Sequence, residues 1–176
     1  MKMKPRTTRA ALLALCLSAC ATSVPPPSRE PQVTLCVLDA SDVVARALRG
    51  AVALWQVDWG VESATASEWA AAPEMCVPVY AVGDTSTWPA EQVAQTLFDA
   101  ETRRPVAIEL GWVWWETCPR ARWATLLHEV GHAAGHRHHT HAGVMAREVA
   151  CTPPEGLTPT DSEVETARRE RGRWVW

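Results

Sequence analysis

The sequence predicts the α+β fold class, with short strands and amphipathic helices sharing one core. Three observations carry this. Runs rich in branched and aromatic residues at 32–39, 76–82 and 106–115 read as strands. Segments with helical spacing at 41–56, 118–135 and 157–172 separate or follow them. A composition of 47% hydrophobic and 21% charged residues, over 176 residues, suits a single domain able to bury a core.

Residues 1–19 stand apart from that domain. Lys2, Lys4, Arg6 and Arg9 precede the apolar run AALLALCLSAC, which is too short to span a bilayer and is built like a secretory signal. Its end, LSAC, resembles the lipobox of bacterial lipoproteins, and the resemblance implies that Cys20 is acylated as the first mature residue. Ala21, rather than an aspartate, comes next, which by the same analogy implies an outer-membrane anchor facing the periplasm or the cell surface. Residues 20–31 are proline-rich and aperiodic, an extended tether with a reach on the order of 30 Å. The folded domain is then expected over 32–176.

Without residues 1–19 the 17 basic residues fall to 13 against 20 acidic ones, a formal charge of −7. That balance argues against a nucleic-acid partner. Membrane contact is expected through the lipid alone, and the domain is expected to act as a monomer. Cys36, Cys76, Cys118 and Cys151 are an even set in an exported chain and read as two disulfides. Of the three possible connectivities, Cys36 with Cys76 and Cys118 with Cys151 is favoured, the second closing a loop around a histidine-rich stretch. None of the four lies in a C-x-x-C pair, which argues against a cysteine zinc site.

Along the domain, 32–39 alternates as a strand, and the next segment switches to helical spacing with Ser41 or Asp42 as its cap. Val44, Leu48, Val52 and Trp55 give that helix a core-facing stripe. Residues 76–82 read as a strand in which Pro78 signals an edge or a bulge. Over 90–98 the local signals divide: Pro89 and Glu91 look like the start of a helix, whereas the later residues read as strand. From Val106 to Trp115 a strand is expected, becoming irregular after Gly111. Trp112, Trp114 and Trp115 read first as core and second as the lining of a substrate cleft. The clearest helix runs over 118–135, with Pro119 in its first turn, Leu126, Val130 and Ala133 on one face, and Gly135 as its C-terminal cap. A terminal helix capped by Thr158 or Thr160 comes last, acidic early and arginine-rich late.

The stretch HEVGHAAGHRHHTH, residues 128–141, holds all 6 histidines. On a helix of 3.6 residues per turn His128 and His132 share nearly one face, so both imidazoles can reach one ion. Glu129, beside the first, stands where a general base is needed without being a ligand itself. Zinc suits this arrangement, since it lowers the pKa of a bound water from about 16 to about 7 and polarises a carbonyl. A catalytic zinc site takes a third protein ligand. His136, His138, His139 and His141 are the candidates, and a turn at Gly135 would bring a residue just beyond it back toward the metal.

The spacing H-E-x-x-H-x-x-G-x-x-H, completed by His138, resembles the metzincin metallopeptidases. That resemblance implies His128, His132 and His138 as ligands of one catalytic zinc ion, Glu129 as acid/base, Gly135 at the turn, and Met145 as the methionine beneath the metal. Gly131 within HEVGH, and LTPTDSEVE farther on, look most like a matrixin-type domain. A zincin/metzincin-like catalytic domain is implied: a twisted, mostly parallel sheet with an antiparallel edge strand, packed on a long helix and the zinc-binding active-site helix, plus a C-terminal helix. In that arrangement VAQTLF and PVAIEL are paired strands, and the edge strand takes a peptide or protein substrate as an added strand. The implied activity is that of a zinc metalloendopeptidase. Three family features are missing: a cysteine-switch propeptide, an aspartate-rich loop that would assign structural calcium, and a tyrosine after the methionine. Oxyanion stabilisation would then fall mainly to zinc.

A different zincin class would need a downstream glutamate ligand such as Glu148 or Glu155, neither in a convincing helix. The competing functional class is a non-catalytic metal-binding lipoprotein in which HRHHTH sequesters zinc, nickel or copper. It accounts for the extra histidines and leaves Glu129 without a role. His136, His139 and His141 read first as solvated neighbours, and second as another metal site or a proton relay.

Overall fold

The computed structural model describes residues 33–39, 42–137, 143–145 and 157–171. Strands β1 (Val33–Leu38), β2 (Trp59–Ala64), β3 (Val77–Val82), β4 (Ala94–Phe98) and β5 (Pro105–Gly111) form one sheet in the order β2-β1-β3-β5-β4. The pairs β1/β2, β1/β3 and β3/β5 are parallel, and β4 runs antiparallel to β5 at the edge. The fold is therefore α+β with a mostly parallel, mixed sheet. Helices α1 (Asp42–Leu54), α2 (Ala66–Ala71), α3 (Trp112–Glu116), α4 (Pro119–Ala133) and α5 (Asp161–Arg171), with one 3-10 turn at Pro73–Met75, complete the described architecture. None of the described helices is long and apolar enough to cross a membrane.

The register sorts side chains between two faces, because strand residues alternate. Val37 pairs with Val79, Val79 with Ile108, and Ile108 with Thr96, which places all four on one face. The first three are almost fully buried, in one core with Val44, Leu48 and Val52 of α1 and Leu126, Val130 and Ala133 of α4. The stripe expected on the first helix is thus the buried one, including Trp55. Helix α1 lies beside α4, and α4 lies along β4 and β5. On the opposite face, Tyr80 donates to Glu109 at 2.7 Å and Gln95 donates to the other carboxylate oxygen at 2.7 Å, a polar row across three strands. Burial, followed by the Glu109 carboxylate, pushes the Tyr80 hydroxyl up to about 12.

Several local expectations need correction. Pro78 lies in β3, at the centre of the sheet and not at an edge. It is the second residue of its strand, ahead of the first β3–β5 pair at Val79 and Ile108, where a missing N–H disturbs the ladder least. The helix suggested by Pro89 and Glu91 does not form: these residues sit in turns, and 94–98 is strand. Pairing with β5 decides that segment, since Ala94 and Thr96 face the core opposite Leu110 and Ile108. The strand expected to run to Trp115 stops at Gly111, and Trp112–Glu116 forms one short helix. Its tryptophans divide, Trp114 being buried while Trp112 and Trp115 are exposed. Asp42 is the first residue of α1, so it is not the residue before it, and Ser41 lies outside the described residues.

A disulfide joins Cys36 to Cys76, tying β1 to the entry of β3. Cys118 occupies the N-cap of α4, and Cys151 lies outside the described residues. Thr160 caps α5 with a reciprocal pair: the Glu163 N–H donates to the Thr160 hydroxyl at 3.2 Å, and the Thr160 N–H donates to Glu163 Oε2 at 2.7 Å.

Helix α4 is held near its C-terminal end by a missing side chain. A Cβ at Gly131 would meet Trp55 Cζ2 at 2.4 Å and Met145 Sδ at 2.5 Å. The gap admits the Trp55 indole, whose Nε1 donates to the Leu127 carbonyl at 2.7 Å. Gly131→Ala is accordingly expected to destabilise the protein by about 1–3 kcal/mol, the usual cost of overpacking, measured as a loss in unfolding free energy by denaturant titration. Unchanged stability would show that the packing at Gly131 relaxes freely.

Candidate metal and catalytic site

The site is built where α4 ends. His128 and His132 lie one turn apart on α4, His128 buried and His132 half-buried, with ring centroids 4.6 Å apart and planes at 88°. Each ring engages a backbone carbonyl through Nδ1: His128 meets the Val144 carbonyl at 2.7 Å, and His132 meets the His136 carbonyl at 2.8 Å. A carbonyl only accepts, so each Nδ1 carries a proton, which in the neutral ring leaves the lone pair on Nε2. Imidazoles held this way would, in their neutral form, offer Nε2 as the donor that a borderline metal such as zinc takes.

The two carbonyls are delivered by separate devices. Gly135 has a φ of 99° and closes α4: its own N–H donates to the His132 carbonyl at 2.7 Å, and the His136 N–H donates to the Gly131 carbonyl at 2.9 Å. This paired pattern is the Schellman turn, and its left-handed position favours glycine. The turn expected at Gly135 is present, and it aims the His136 carbonyl back at His132. The other carbonyl, from Val144, belongs to the segment that carries Met145, which is wholly buried beneath α4. Glu163 secures this segment, its Oε1 accepting from the Met145 N–H at 3.4 Å.

Glu129 is 5% exposed. Its Oε2 accepts from the Thr96 hydroxyl at 2.7 Å, and the same hydroxyl lies 3.1 Å from the Glu129 backbone carbonyl. Burial pushes the Glu129 carboxyl up to about 7, partly offset by the Thr96 hydrogen bonds. A carboxyl that exchanges its proton near neutrality can both accept and return one. Tyr80 lies on the far face of the sheet from Thr96 and is occupied by Glu109, so it is not placed to assist.

His128, Glu129, His132, Gly135 and Met145 therefore share one locality. Among the described residues no group of three metal-ligating side chains comes together. His138, the third ligand implied by the resemblance, lies outside the described residues, as do His139, His141 and Cys20, the expected lipidation site. His136 departs from the solvated role first read for it: it is buried, its ring 6.0 Å from that of Trp55. Sequence reasoning did not find Thr96, nor Trp55 and Glu163 as supports of the site. Thr96 is 33 residues from Glu129, and no local pattern marks it. The glycine between the two histidines was the one visible sign of the Trp55 contact.

The chain matches no protein-family model and no curated protein.

The raised proton affinity of Glu129 has a measurable sign. In metal-free protein the folded state holds this proton from about pH 4.5 to about 7, whereas the unfolded state has lost it. The stability of the wild type relative to Glu129→Gln is thus fullest below pH 4.5 and falls as pH rises to about 7, with a slope approaching about 1.4 kcal/mol per pH unit. Chelator-treated wild type and variant, unfolded with urea across this range, test it. A pH-independent difference between them would refute the buried, proton-holding carboxyl.

Proposed function

We propose that the chain is a zinc-dependent endopeptidase with a matrixin-like metzincin domain. The observation that carries the reading is the matched pinning of His128 and His132 through Nδ1 to backbone carbonyls, with the buried Glu129 carboxylate between them in sequence. The antiparallel edge strand beside α4, and Met145 beneath it, support the same assignment. A pure metal store has no use for a buried carboxylate that is neither solvated nor charge-paired among the described residues, so the non-catalytic alternative leaves Glu129 unexplained.

In this reading His128, His132 and His138 hold the ion. Zinc, when bound, supplies a Lewis acid that polarises the scissile carbonyl and acidifies a water molecule. Among the described residues strand β4 pairs on one side only, so its other edge would offer backbone N–H and C=O groups to an extended peptide. Glu129 takes a proton from the water as its oxygen bonds to the carbonyl carbon, then delivers that proton to the amide nitrogen as the C–N bond breaks. The products are one carboxylate-ended and one amine-ended peptide. Export, and a lipid on Cys20 at the outer membrane, place this activity in the periplasm or at the cell surface.

Incubation of the protein with a diverse peptide library should give cleavage that a chelator abolishes and zinc restores. Glu129→Gln should lower kcat by about 100-fold or more while the bound zinc, counted by elemental analysis, stays at wild-type level. His128→Ala and His132→Ala should lose both zinc and cleavage. Chelator-resistant cleavage, or full activity in Glu129→Gln, would refute the mechanism. For localisation, Cys20→Ser should move the protein from the membrane fraction to the soluble one. An unchanged membrane fraction would exclude the lipid anchor.

A further inference from the structure

We infer that Thr96 is a positioning residue for peptide hydrolysis, its hydroxyl holding the Glu129 carboxylate in the orientation that receives the proton. The inference rests on the peptidase reading above and extends it to a residue that the histidine motif does not contain.

Thr96 lies in the middle of β4, and its register with Ile108 turns its side chain to the α4 face of the sheet. From there its hydroxyl reaches Glu129 Oε2 at 2.7 Å and the Glu129 backbone carbonyl at 3.1 Å. A hydroxyl has one proton, and the shorter distance and the negative charge both assign it to Oε2. Among the described residues Oε1 makes no hydrogen bond, so one carboxylate oxygen is tied and the other remains for chemistry. A glutamate has three rotatable side-chain bonds, and helix α4 fixes only where they begin. The Thr96 hydrogen bond fixes where they end.

The residue type fits the task. Threonine is β-branched, so its χ1 is stiff and its hydroxyl direction is set by the strand itself. A valine has the same shape and β preference but offers no donor, leaving a buried carboxylate oxygen unsatisfied. The carrier strand also matters, because β4 is the edge to which a peptide would add. One strand thereby aligns both reactants, the peptide through its backbone edge and the base through Thr96. A purely structural strap between β4 and α4 would instead show up in stability, with kcat unaffected.

The test compares zinc-loaded wild type, Thr96→Val, Thr96→Ala and Thr96→Ser on a peptide that the wild type cleaves, with kcat, KM, bound zinc and thermal midpoint measured for each. Thr96→Val and Thr96→Ala should both lower kcat by about 10- to 100-fold, as expected for a catalytic group displaced by about an ångström, with KM within about twofold and zinc unchanged. Thr96→Ser, which keeps the hydroxyl, should recover most of kcat. Unchanged kcat in Thr96→Val overturns the inference while leaving the peptidase reading intact. So does a Thr96→Ser variant as slow as Thr96→Val, which would assign the effect to the lost methyl. A wild type that shows no zinc-dependent cleavage overturns both.

Discussion

An imidazole has two nitrogens, and the geometry of this site depends on one of each pair being committed to a backbone carbonyl. Helical spacing alone brings His128 and His132 to one face, but each ring could still rotate or take the other tautomer. The carbonyls of Val144 and His136 remove that freedom. Much of the local architecture serves to place these two oxygens. The Schellman turn at Gly135 reverses the chain so that a carbonyl beyond the helix points back into it. The Met145 segment is clamped from below by α5 through Glu163 and packs into the notch at Gly131, which presents its Val144 carbonyl to His128. Gly131, Gly135, Trp55 and Glu163 therefore act at one remove from the two histidines.

The parts of the site legible in the sequence are those whose partners are near in the chain. His128, Glu129, His132 and Gly135 fall within one helix and its cap, where the 3.6-residue period and the special φ of glycine turn spacing into geometry. The core stripe of α1 and the cap at Thr160 were legible for the same reason. Long-range partners were not. Thr96 meets Glu129 only because β4 is laid along α4, and Trp55 reaches Leu127 across 72 residues. The segment 89–98 shows the cost of reading locally. Pro89 and Glu91 do resemble a helix start, but Ala94 and Thr96 bury their faces against Leu110 and Ile108 as a strand. Tertiary pairing of this kind overrides propensity. Pro78 misled in the opposite sense, because a proline's missing donor matters only where a ladder bond would have formed, and the second neighbour of β3 begins one residue later.

Burial of Glu129 results from the same arrangement. A carboxylate on the inner face of α4 under the edge strand is desolvated, and desolvation raises its proton affinity. The Thr96 hydroxyl acts against this, favouring the charged form, and burial outweighs it. The balance leaves the group near 7, between an ordinary carboxylate, too weak a base to hold a proton transiently at neutral pH, and a fully sequestered one, too reluctant to release it. The net acidity of the chain does not create this effect, which belongs to one buried residue and the Thr96 hydroxyl that donates to it.

In the proposed peptidase, strand β4 would connect substrate binding to catalysis. Among the described residues β4 pairs with β5 alone, leaving an outer edge of the kind that most proteins shield. Here the inner side of the same strand is engaged with α4, Ala94 in the core and Thr96 on the Glu129 carboxylate. An edge so anchored can receive an extended chain without shifting against the helix. A peptide added there would meet a base whose orientation is set by the very strand that binds it, and the separation between them would be fixed by covalent geometry within β4. Precision at the site would then depend on a strand and a helix joined by one hydroxyl.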